Sequence, residues 1–78
     1  MNEHWEVVVH NDDSQSALLA AFVLRELCAL EIPEAGRLAQ EIEAEGVAQV
    51  GRFPDQAQAE DLVVALQRHG LHGAVRPL

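Results

Sequence analysis

Lysine is missing altogether: the 5 basic residues are all arginine, set against 13 Asp and Glu for a formal net charge of −8. Binding a nucleic acid backbone or an anionic membrane needs grouped Lys and Arg, so neither is expected as a partner. A basic peptide or a free amino terminus is the better electrostatic match. Cysteine occurs once, at Cys28, which rules out an intramolecular disulfide. Aromatic residues are limited to two Phe and one Trp, so Leu, Val and Ala must supply the core. No apolar run approaches the ~18 residues of a membrane span. Met1-Asn2-Glu3-His4 lacks the basic region and apolar stretch of a signal peptide, which points to the cytoplasm. Glycine-rich phosphate loops, internal repeats and low-complexity runs are also missing.

What remains is a short, densely apolar chain. Its 78 residues, 49% of them hydrophobic, suit a single small domain spanning 1–78 and held by apolar burial. Trp5 to His10 is β-branched and roughly alternating, which predicts a strand. Asn11-Asp12-Asp13-Ser14 ends it with turn and capping residues. A helix is predicted from about Gln15 to Cys28, with Leu19, Phe22, Val23 and Leu27 as its apolar stripe. After the joint Leu30-Glu31-Ile32, Pro33 fits the first turn of a second helix. Ala35, Leu38, Ala39 and Ile42 line one face of that helix, and Gly46 stops it. Val47 to Phe53 alternates as a second strand. Pro54-Asp55 opens a third helix with Ala59, Leu62, Val63 and Leu66 on its buried side and Gly70 at its end. Leu71 to Arg76 is the last strand. The order β-α-α-β-α-β predicts a two-layer α+β domain, with three helices on one face of a three-stranded sheet.

Few residues invite chemistry. Cys28 has neither cationic neighbours nor a helix N-terminus to activate it and reads as a small core hydrophobe. His4, His10, His69 and His72, with Asp12 and Asp13, show no recognised zinc spacing, so no metal, cofactor or catalytic centre is expected. The informative stretch is His10-Asn11-Asp12-Asp13. A helix-capping turn accounts for it by itself. It is also a cluster of acceptors with no neutralising Lys or Arg beside it, which can hold an ammonium group through charge-assisted hydrogen bonds.

Trp5-Glu6-Val7-Val8-Val9-His10-Asn11-Asp12-Asp13 resembles the first strand and turn of the ClpS family, small adaptors that present substrates to Clp AAA+ proteases. The likeness extends over nearly the whole chain, through the second helix ending at Gly46, the Val50-Gly51-Arg52-Phe53 stretch and the third helix. It implies the ClpS fold and a non-enzymatic adaptor that recognises N-degrons, the N-terminal residues marking a protein for degradation. It also implies peptide N-termini with a bulky apolar first residue as ligands and a Clp-type AAA+ unfoldase as partner. By the same resemblance Asn11, Asp12 and Asp13 match the family's amine-binding turn. Val9, Ala17, Ala20, Ala39, Ile42 and Leu71 match its side-chain pocket.

The departures are informative. Glu43 stands where the family carries a His that helps hold the amine, and a carboxylate there can pair with the ammonium directly. Ala17 and Ala39 replace Met at pocket positions, which predicts a pocket either enlarged or partly collapsed. Ser14-Gln15-Ser16 replaces Tyr-Thr-Pro. The segment matching the family's partner-docking Val-Ala-Glu-Thr-Lys reads Ala57-Gln58-Ala59-Glu60-Asp61, so Ala57, Glu60 and Asp61 would meet a partner with an acid in place of the base. Before Trp5 stand four residues, too few for the flexible delivery arm of the family. A docking module that binds a partner without N-degron recognition is the alternative reading.

Overall fold

The computed structural model describes residues 3–12 and 16–78. Its elements are β1 (Trp5–His10), α1 (Ala17–Cys28), α2 (Ile32–Glu45), β2 (Val47–Phe53), α3 (Gln56–Arg68) and β3 (His72–Pro77). The three strands form one antiparallel sheet in the order β2-β1-β3, so the first strand in sequence is the central one. Val7 and Val9 of β1 point to the same side, as strand alternation requires, and both are buried in the core. The helices cover that side: Val23 and Leu24 of α1, Leu38 and Ile42 of α2, and Ala59 and Leu66 of α3 all join the same cluster. Among the described residues, no helix is long and apolar enough to cross a membrane.

Each helix start has a local cause. Ser16 caps α1, its hydroxyl accepting from the Leu19 N–H at 3.1 Å, so the helix begins at Ala17, two residues later than expected. Asp55 caps α3 by accepting from the Ala57 N–H at 2.9 Å. Pro33 sits in the first turn of α2, where a missing N–H leaves nothing unsatisfied. Gly46 ends α2 with φ 86°, its N–H donating to the Ile42 carbonyl; that left-handed conformation is cheap only without a Cβ. Gly73 serves packing instead. It lies opposite Val9, and a Cβ there would come within 3.1 Å of Leu66, so its bareness lets α3 settle on β3.

The predicted stripe of α1 is corrected by the structure. Ala20, Val23 and Leu24 are buried, with Leu27 packed against the core, whereas Leu19 and Phe22 are exposed. Residues 17–24 are apolar all round, so their periodicity carries little phase. The face spaced i, i+3, i+4, i+7 from Ala20 is the one that packs. The last strand begins at His72 rather than Leu71; Leu71 is a buried link whose N–H donates to the Leu66 carbonyl at 3.0 Å. Cys28 packs half-buried against the core, and burial pushes its thiol pKa up.

The outer face of the sheet carries a polar web. Gln49, the cross-strand partner of the buried Val8, donates to Glu6 Oε1 at 2.6 Å. Arg76 donates to Glu6 Oε2 at 3.2 Å. The Gln49 bond and then the Arg76 charge hold the Glu6 carboxyl below the ordinary glutamate range, against a partial offset from burial. A carboxyl lowered in the folded state adds stability above its unfolded pKa and loses it as the pH falls through the folded one. Glu6→Gln is therefore expected to cost about 1 kcal/mol at neutral pH. The difference from the parent protein should close on acidification below the ordinary glutamate pKa of about 4.3. Urea titrations at several pH values check this; a gap independent of pH would contradict it.

Candidate functional site

The end of β1 and the end of α2 are tied together. His10 pairs with Val47 on one side and His72 on the other. One residue on, the Asn11 N–H donates to the Gly46 carbonyl at 2.8 Å. That bond seats Asn11 against the terminus of α2, one turn of helix from Glu43. The left-handed Gly46 makes the bond possible by turning its carbonyl back toward the sheet end.

A cavity opens at this junction with a volume of about 20 Å³. Its apolar wall is Val9 from β1, Ala17 and Ala20 from α1, Ala39 and Ile42 from α2, and Leu71 from the link before β3. Its polar rim is His10, Asn11, Asp12, Ser16 and Glu43. Side chains that lie far apart in sequence are thus gathered round one opening: the six candidate pocket residues form its wall, and Asn11, Asp12 and Glu43 stand at its edge. Asp13 lies outside the described residues. Ala57, Glu60 and Asp61 are exposed on the first turns of α3 and none of them lines the cavity.

The electrostatics of the rim favour a cation. Asp12 and Glu43 are carboxylates, and α2 presents its C-terminal, partially negative end here. No arginine lines the cavity. Asp12 Oδ2 is held by His72 Nε2 at 2.8 Å. An ammonium group fits such a rim because all its N–H groups donate and the acceptors supply compensating charge.

The cavity is small in this structure. A cavity of about 20 Å³ holds roughly one water. Ala17 is the least buried residue of its apolar wall; Val9, Ala20, Ala39, Ile42 and Leu71 are buried.

Two rim residues were not anticipated from sequence. Ser16 reaches the rim because it caps α1, and the polar Ser16 just before the apolar run is the signal that marks such a cap. His10 reaches it as the last residue of β1, a place that strand alternation alone does not connect to a cavity. Among the described residues, no group of three or more His, Cys, Asp and Glu could hold a metal ion.

The comparisons with known proteins agree with this architecture. The family model described as ATP-dependent Clp protease adaptor protein ClpS matches residues 1–77. Among solved structures, the chain is similar to Agrobacterium tumefaciens ClpS2 bound to L-phenylalaninamide, with a TM-score of 0.87, 19% identity and 100% of each chain covered. At that identity the likeness speaks for the fold. No curated protein matches the chain.

Proposed function

Because the chain belongs to the ClpS family of ATP-dependent Clp protease adaptors, we propose that it binds the free amino terminus of a substrate protein at the cavity between β1, α1 and α2 and links it to a Clp-type AAA+ protease. Asn11, Asp12, Asp13 and Glu43 hold the α-ammonium in this reading. Val9, Ala17, Ala20, Ala39, Ile42 and Leu71 receive a bulky apolar first side chain. The observation that carries it is the pairing of an apolar cavity with a rim of carboxylate and amide acceptors and no arginine. The ligand of the similar A. tumefaciens ClpS2, L-phenylalaninamide, has the same two parts, a free amine and an apolar side chain.

Glu43 gives the site its own character. A carboxylate pairs with an ammonium directly, through charge-assisted hydrogen bonds. On the partner side, the exposed Ala57, Glu60 and Asp61 of α3 are the docking residues of this reading, and their acidity calls for a basic surface on the unfoldase.

The test uses short fluorescent peptides beginning with free Phe, Trp, Leu or Ala, each beside its N-acetylated twin, titrated by anisotropy. Free Phe and Trp peptides are expected to bind at least tenfold more tightly than their acetylated forms, and Ala peptides weakly. Equal binding with and without the acetyl group would overturn the amine site. If no peptide binds at all, the alternative of a docking module without N-terminal recognition takes its place.

A further inference from the structure

We propose that His72 is a positioning residue of the amine site, holding the Asp12 carboxylate in place from outside the cavity. The inference deepens the amine-binding reading and rests on it.

The geometry points to this role. His72 Nε2 lies 2.8 Å from Asp12 Oδ2. An ionised carboxylate only accepts, so Nε2 carries the hydrogen and donates it. His72 is the cross-strand partner of His10, and partners across an antiparallel pair share a face. That face is the one carrying Glu6 and Val8, away from the helices and from Val7 and Val9. The imidazole is not among the groups lining the cavity, whereas Asp12 is. It thus meets Asp12 from β3 without itself lining the cavity.

The need for such a grip follows from the chain around Asp12. The residue lies beyond the end of β1, after the last ladder pair at His10, and His72 is one of the groups that meet it. A carboxylate that must meet an ammonium gains from being ordered beforehand, because the ordering cost is then not charged against binding. His72 adds to that order from β3, which brings a fourth element into a site otherwise built by β1, α1, α2 and the Leu71 link. The imidazole is itself largely exposed at 68%, so its replacement disturbs little packing.

The experiment compares four proteins, the parent, His72→Leu, His72→Gln and Asp12→Asn, in binding a free N-terminal Phe peptide and its acetylated twin. Gln keeps an Nε2–H donor at a similar reach; Leu keeps bulk without the donor. His72→Leu is expected to weaken binding of the free peptide about tenfold, while His72→Gln stays within about threefold of the parent. Adding His72→Leu to Asp12→Asn should cost little more than Asp12→Asn alone, because the two residues act through one contact. Circular dichroism and the melting temperature should be unchanged throughout. Parent-like binding by His72→Leu, or the same loss with Asp12 and without it, overturns the positioning role while the amine reading stands. A parent protein that does not discriminate free from acetylated peptide overturns the amine reading, and this inference with it.

Discussion

Leu24→Ala is expected to destabilise the protein by about 3 kcal/mol, within the range of about 2–5 found for emptying a packed leucine site. Leu24 has 0% exposure and lies in the core with Val7, Val9, Leu38 and Leu66, where neighbours on three other elements limit collapse into the space. Small domains have little stability in reserve, and a loss of this size is a large part of a typical total. Chemical denaturation should show a much lower midpoint at an unchanged slope. Phe22→Ala, on the same helix, is the control. Phe22 is 59% exposed, so its removal should shift the midpoint little. A costly Phe22→Ala beside a mild Leu24→Ala would mean that α1 packs with its other face inward.

The second large effect is on binding. Ala17→Trp is expected to reduce the affinity for a free N-terminal Phe peptide by at least a hundredfold, or about 2.7 kcal/mol, with the fold intact. Ala17 is the first residue of α1 and a half-buried wall of the cavity. An indole placed there can occupy the space that an incoming side chain needs. The same substitution at Ala39 or Ala20 would force a ring into a buried site and cost folding energy as well, so position 17 separates blocking from unfolding. Ala17→Met, which restores the residue type expected at this position in the family, should give a graded loss, falling more on Trp than on Leu peptides. Anisotropy titrations with circular dichroism on the same samples decide it; tight binding by Ala17→Trp would place the side-chain pocket elsewhere.

The sequence made α2 legible because its two faces differ. Ala35, Leu38, Ala39 and Ile42 alternate with Glu34, Arg37 and Glu41, and those apolar residues are the buried ones; the charged ones pair with each other on the exposed side. The phase of α1 was hidden because apolar residues surround it, and only the neighbours decide which of Leu19, Phe22, Val23 and Leu24 go inside. The β-α-α-β-α-β order was open to sequence because Gly46, Pro54-Asp55 and Gly70 punctuate it. The size of the cavity was not. Trimming Met to Ala leaves two outcomes, and the choice depends on how far the surrounding helices settle inward, a property of the packed chain rather than of any residue. The grip of His72 on Asp12 was equally hidden, since it joins residues sixty positions apart through a register that only the folded sheet defines.

The central place of β1 has a consequence for how the chain folds. Its two partners, β2 and β3, begin only at Val47 and His72, so neither edge of the first strand can be satisfied locally. The helices draw on neighbouring residues and can flicker into being in about a microsecond. Sheet closure must bring distant segments together at a cost in chain entropy before any contact repays it. Until β3 docks, β1 presents an open row of backbone donors and acceptors beside the apolar Val7-Val8-Val9, the kind of edge through which unfinished chains stick to one another. Docking of β3 covers this edge, and the same pairing brings His72 within reach of Asp12.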